Sequence, residues 1–152
     1  MESRMDKTNQ GAGPDDALRE KAAILESILN GVSLLITYID KEERYVFVNR
    51  AYARWHDIPP EALIGKRVSE ILKPDVYERA SANIKKALDG QRVVYENQAA
   101  DREGRERTLL VHYEPHFSGQ KAKGFFSSIL DVTEGRRAEA ALQESEQRFR
   151  IL

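Results

Sequence analysis

No cysteine occurs anywhere in the 152 residues, and that one absence removes three kinds of chemistry. Without thiols there is no disulfide framework, no thiolate nucleophile and no cysteine-ligated metal. Neither sign of charge dominates: 24 Lys and Arg face 25 Asp and Glu. A polyanionic partner favours a basic excess or stripe, so nucleic acid is not an expected partner. Long hydrophobic runs are missing too. The longest, Val32 to Ile39, contains Ser33, Thr37 and Tyr38 and falls far short of the ~20 residues a bilayer crossing needs. The opening, Met1 to Pro14, has no apolar signal core and no transit-peptide pattern. These absences lead us to expect a cytoplasmic chain without membrane contact, one domain long with helical or flexible appendages.

What is there follows a clear order. Residues 1–14 are polar, contain Gly11, Gly13 and Pro14, and read as a disordered tail. From Asp15 the pattern is helical: Leu18, Ala22, Leu25 and Leu29 recur at steps of four and three up to Asn30-Gly31, where a left-handed glycine would end the helix. Leu34 to Ile39 and Arg44 to Val48 read as a strand pair joined by Asp40-Lys41-Glu42-Glu43. Asn49 is a good N-cap for a short helix through Tyr52 and Trp55, broken at Ile58-Pro59-Pro60. Short helical pieces follow at Glu61 to Leu63 and Val68 to Leu72. A longer helix opens after Pro74, with Asp75 and Glu78 as a capping box and Tyr77, Ala80, Ile84, Ala87 and Leu88 as its apolar face. Arg92 to Ala99, Thr108 to Phe117 and Ala122 to Thr133 read as three strands, and residues 134–152 as a final helix.

This order, with its particular residues, resembles the PAS fold. Tyr38-Ile39-Asp40 followed by Phe47-Val48-Asn49-Arg50-Ala51-Tyr52 is similar to the family's opening hairpin and its hydrophobic-Asn-x-Ala-aromatic step. Leu63-Ile64-Gly65-Lys66, His112-Tyr113-Glu114-Pro115, Gly124-Phe125-Phe126 and Asp131-Val132-Thr133-Glu134 match later motifs in the right order. Two positions depart: Glu43 stands where glycine is frequent, suggesting a different turn type. Thr108 stands where tryptophan is frequent, suggesting a smaller surface near the sheet edge. The resemblance implies an α+β fold over 32–133, with a five-stranded antiparallel sheet in the order 2-1-5-4-3 and helices on one face. The segment 15–31 would then be an N-terminal flanking helix and 134–152 a C-terminal signalling or linker helix.

Fold does not fix ligand in such a family, so the candidate site is argued from residues. The resemblance implies an internal pocket, with Tyr52, Trp55, Ile64, Tyr77, Ile84, Val111, Tyr113, Phe125 and Ser127 as its candidate lining. It also implies a relay through Asp131 and Thr133 into the last helix. The flavin–cysteine adduct and the thioester-linked chromophore found in some members both need a cysteine and are impossible here. The long helix carries no histidine, so the usual haem ligand is also absent, and the cofactor is left open. His56 is read as a surface or half-buried side chain. His112 and His116 share one strand face, opposite Leu109, Val111, Tyr113 and Pro115, and read as solvated or interfacial, with no third ligand at metal spacing. Ser127 and Ser128 lack a neighbouring base for nucleophilic chemistry.

Both ends carry apolar stripes. Leu18, Leu25 and Leu29 mark the first helix; Ala138, Leu142, Ser145, Phe149 and Leu152 recur at steps of four and three in the last. They suggest a homodimer. The stretch from Arg136 to Arg150 resembles a linker into a following domain, so an output domain such as a histidine kinase or a cyclic-dinucleotide enzyme is an expected partner in the parent protein. Three functions are therefore open: a ligand-binding sensory module, a ligand-free dimerisation scaffold, and a small α+β-barrel enzyme. The last needs an inward-facing acid–base pair that the strands do not show.

Overall fold

The computed structural model describes residues 13–151. Its elements are α1 (Pro14–Gly31), β1 (Leu35–Asp40), β2 (Tyr45–Val48), α2 (Arg50–His56), α3 (Pro60–Leu63), α4 (Val68–Ile71), α5 (Pro74–Leu88), β3 (Val93–Ala100), β4 (Glu106–Ser118), β5 (Lys121–Asp131) and α6 (Thr133–Ile151). The tail expected at 1–14 lies outside the described residues as far as residue 12, and Pro14 belongs to α1; Leu152 also lies outside them.

The five strands form one antiparallel sheet in the order β2-β1-β5-β4-β3, as expected. The last strand is central, pairing with β1 on one side and β4 on the other. Alternation sorts the two faces. Leu35, Thr37 and Ile39 of β1 point inward, as do Leu109, Val111 and Tyr113 of β4 and Phe125 and Ser127 of β5. A bulge in β2 shifts the register between Tyr38 and Ile39, so that Tyr45 and Val48, three residues apart, both enter the core. Against this face pack Tyr52 and Ala53 of α2, Leu63 of α3, Val68 of α4, and Ala80, Ile84 and Ala87 of α5.

Local expectations differ at three places. Gly31 does not turn left-handed: it is the last helical residue of α1, and Val32 follows in extended conformation. The helix needs no glycine cap because its last turn is held from outside, as described below. Asp75 does not cap α5; Lys73 occupies the N-cap position, Pro74 opens the helix, and Asp75 lies in its first turn. Glu43 does not produce a different turn. With φ of 61° it takes up the left-handed conformation itself. The β1–β2 turn then repeats the β3–β4 turn, where Gly104 has φ of 78°. In both, an aspartate (Asp40 or Asp101) accepts from two backbone N–H groups through its side chain.

Asn49 joins these elements. Its side chain is fully buried and makes four hydrogen bonds. Its Oδ1 accepts from the N–H of Ile36 at 3.0 Å and, as the N-cap, from that of Tyr52 at 3.1 Å. Its Nδ2 donates to the carbonyls of Leu29 and Leu34, both at 2.8 Å. The Asn30 side chain answers by accepting from the N–H of Arg50 at 2.8 Å. One amide thus ties the end of α1, the start of β1 and the start of α2 together. Replacing Asn49 by Ala should destabilise the domain by about 3 kcal/mol, because it strands several buried backbone groups at once. Urea unfolding of the variant beside the parent measures this; a loss under about 0.5 kcal/mol, the range of ordinary surface changes, would show that the amide is dispensable.

Candidate functional site

Between the inner face of the sheet and helices α2, α4 and α5 lies a cavity of about 790 Å³. Most of its wall is apolar: Leu35, Ile39, Ile71, Val76, Ala80, Ile84, Leu109, Val111, Phe125 and Ile129. Thr37, Ser127 and Asn97 add polar tips from the strands. Its charged lining, Asp57, Lys73, Asp101, Arg102, Glu103 and Arg105, comes from the α2–α3 junction, the turn before α5, and the β3–β4 turn. These form the rim, and they are largely paired with one another. Asp101 and Glu103 each pair with Arg105, and Arg102 reaches Asp57 at 3.8 Å across the opening.

The cavity gathers Tyr52, Trp55, Ile84, Val111, Tyr113, Phe125 and Ser127 from the expected lining. Ile64 and Tyr77 are not in its wall. Ile64 leaves α3 in extended conformation just before the left-handed Gly65 and is 44% exposed. Tyr77 stands one position round the helix from Val76, which occupies the inward place. The Tyr77 hydroxyl instead donates to the Glu43 carboxylate at 2.8 Å, tying α5 to the first hairpin. Tyr45, His56, Tyr95 and Asn97 also line the cavity without having been singled out as lining residues. The alternation Val93, Tyr95, Asn97 carried a signal for two of them. Tyr45 enters only through the bulge, which the sequence pattern does not announce.

Four phenols form two pairs in this wall. The hydroxyls of Tyr45 and Tyr52 lie 2.5 Å apart, and those of Tyr95 and Tyr113 2.7 Å apart. Burial raises the pKa of all four, most of all at Tyr52 and Tyr113, so they stay protonated. The His56 ring packs against Tyr52 at 4.7 Å, and burial lowers its pKa to about 4. It is therefore a neutral imidazole at physiological pH. On the opposite, outer face of the sheet His112 and His116 are exposed, and His116 Nδ1 hydrogen-bonds the Tyr38 hydroxyl at 2.9 Å. Among the described residues no group of three His, Asp or Glu side chains is placed to hold a metal ion.

The exit from β5 is a second polar centre. Thr133 is buried; its hydroxyl donates to Asp131 at 2.5 Å and accepts from the N–H of Thr108 at 2.8 Å. Arg107 bridges the strand end and the helix, donating to Asp131 at 2.7 Å and to Glu134 at 2.7 and 2.9 Å. One turn on, Arg136 donates to Glu96 of β3. Thr108, at the position noted for its missing tryptophan, sits on an inner strand and uses its hydroxyl to donate to Gln98. Burial would raise the pKa of Asp131, but hydrogen bonds from Thr133 and Arg107 outweigh it and hold the carboxyl below its ordinary value. Glu134 is lowered in the same way by Arg107.

The family model described as the PAS fold matches residues 29–137, which is most of the chain. The chain belongs to the PAS family. Solved PAS structures share its fold at low sequence identity. The PAS domain of a Colwellia psychrerythraea protein superposes with a TM-score of 0.62 at 16% identity, covering 78% of this chain and 99% of that one. The PAS domain of BvgS from Bordetella pertussis gives 0.54 at 19% identity, covering 84% and 98%. The Rhodobacter sphaeroides LOV protein gives 0.62 at 16%, covering 82% and 73%. None of the curated proteins matches the chain in sequence. PAS domains are in general sensory, and no helix among the described residues is long and apolar enough to cross a membrane.

Two outcomes follow for the PAS exit motif. Thr133→Val keeps the shape but removes the acceptor of the half-buried Thr108 N–H, and should cost about 1 kcal/mol in a denaturation experiment. The lowered carboxyls set a pH window. Their contribution is fully present above the ordinary values, 3.8 for Asp131 and 4.5 for Glu134, and is lost as the pH falls through the lower folded values. Amide exchange in the first turn of α6 should therefore accelerate only in that acid range, and loss of protection already at neutral pH would contradict the assignment.

Proposed function

We propose that this chain is the sensory input module of a signalling protein, not an enzyme. It binds a small molecule in the cavity and passes the occupancy through β5 to α6. The observation that carries this is the continuity of one strand. Phe125, Ser127 and Ile129 of β5 line the cavity, and Asp131, two residues on, anchors the first turn of α6. A shift of the central strand on ligand binding would alter the Asp131–Arg107–Glu134 contacts directly. The relay works only to the extent that the ligand binds the two arrangements unequally. Cysteine-adduct photochemistry is not open to a chain without cysteine, whatever its likeness to LOV proteins.

The receiving end is a homodimer. The α6 helix has 19 residues and is about 28 Å long. Beyond Thr133 its described side chains are exposed, with Leu142 at 61% and Phe149 at 77%. A helix of that length is marginal in water without a partner, and a second copy in parallel supplies one. On α1, Leu18 and Leu25 are likewise exposed, Leu29 is half-buried, and Ile24 and Ile28 widen the apolar face. In the parent protein the partner downstream is an output domain such as a histidine kinase or a cyclic-dinucleotide enzyme, in the cytoplasm.

Native mass spectrometry of freshly purified protein should show a retained small molecule, and Ala80→Phe, which fills the cavity wall, should abolish retention. Leu142→Asp combined with Phe149→Asp should yield monomers by light scattering with the sheet still folded. A ligand-free parent that remains dimeric would instead mark the domain as a dimerisation scaffold.

A further inference from the structure

We propose that the cavity selects an uncharged, flat aromatic molecule bearing carbonyl oxygens, a quinone-type ring, and that one hydroxyl from each of the phenol pairs Tyr45–Tyr52 and Tyr95–Tyr113 recognises those oxygens. This rests on the cavity being a ligand site, and three observations narrow the ligand class.

The first is charge. Every charged residue of the lining belongs to the rim, and the rim ions are mostly paired among themselves. Deeper in, the polar groups are phenols, Thr37, Ser127, Asn97 and His56, which burial keeps neutral. A carboxylate or ammonium driven into that wall would lose its hydration and find no opposite charge, so the buried part of the ligand is neutral.

The second is a count of hydrogens. A phenol carries one O–H and so donates once. In each pair a single hydrogen bond joins two hydroxyls, Tyr45 with Tyr52 and Tyr95 with Tyr113. One of the two hydrogens in each pair is spent between them, and one is left. Neither pair donates to any other protein oxygen among the described residues. The buried wall therefore offers two uncommitted donors from two different places, α2 with β2 and β3 with β4. Carbonyl oxygens accept without adding a charge or a competing donor.

The third is shape. The Tyr113 and Phe125 rings lie 4.7 Å apart and the Tyr45 and Tyr52 rings 5.5 Å apart, with Trp55 also in the wall. Aromatic edges and faces suit a flat π-system. A volume of about 790 Å³ lies within the range of small-molecule sites and admits a fused two-ring body with a substituent reaching the rim.

Three probes of similar size separate these features by calorimetry on the whole chain: 2-methyl-1,4-naphthoquinone, 2-methylnaphthalene and 2-naphthoate. The absence of cysteine means that the quinone is not consumed by thiol addition. We expect the quinone to bind at least about tenfold tighter than either of the others, the gain from two hydrogen bonds of ordinary net strength. Replacing all four phenols, Tyr45, Tyr52, Tyr95 and Tyr113, by Phe should remove that advantage, while 2-methylnaphthalene binds the variant as it binds the parent, which also shows that the variant is folded. Tightest binding by 2-naphthoate, or a quinone no better than the hydrocarbon, would overturn the ligand class and leave the cavity as a binding site. Undiminished quinone binding by the fourfold variant would overturn the role of the phenols. Failure of all three probes, with no small molecule retained in native mass spectrometry, would overturn the class together with the sensory reading.

Discussion

The arrangement of this domain depends on one buried amide. Helices α1 and α2 and strand β1 meet at a point where each leaves backbone groups without partners in its own element, and the Asn49 side chain satisfies four of them. An amide is the right group because it offers both acceptor and donors on one short, planar arm. Aspartate would face two carbonyls with oxygens, and a longer glutamine would not fit the same close geometry. Once this junction is fixed, α2 must run over the inner face of the sheet, and Tyr52, three residues beyond Asn49, is directed into the cavity wall.

The cavity is the complement of that constraint. A sheet of five strands with small helices over one face leaves space that side chains must either fill or line. Here it is lined, with large apolar residues from the central strands and phenols that satisfy each other in pairs. No buried side-chain nitrogen or oxygen among the described residues lacks a hydrogen-bond partner. The wall can therefore persist without a ligand and still hold spare donors. The central position of β5 then connects this wall to the exit motif without any intermediate element.

Much of this was legible in the sequence because the two periodicities are distinct. Alternation in Leu109, Val111 and Tyr113 fixed the inward face of β4, and the steps Ala80, Ile84 and Ala87 fixed that of α5. The strand order became legible only through the motif resemblance, since pairing between β1 and β5 is remote in sequence. What stayed hidden was decided by tertiary contacts. Gly31 is not left-handed because Asn49 and Asn30 secure the helix end from elsewhere. Glu43 takes a left-handed φ because it stands at the turn position that Gly104 fills in the other hairpin, with the turn closed by the Asp40 carboxylate. Tyr45 reaches the cavity through a bulge, and Ile64 misses it because the following Gly65 turns the chain away.

The fastening of α6 has a thermodynamic corollary. Beyond the buried Thr133 the helix is held on the sheet by Arg107–Glu134 and Arg136–Glu96 pairs, with its apolar side chains already in solvent. Its release would expose little new hydrocarbon. Heat capacity and denaturant sensitivity both scale with the surface uncovered, so the event would be almost silent in calorimetry and in urea titrations. Ionic strength is the variable that would reveal it, because screening weakens exposed ion pairs while leaving a hydrophobic core untouched. The sheet and the helix are thus governed by different solvents properties: cohesion of water for one, dissolved ions for the other.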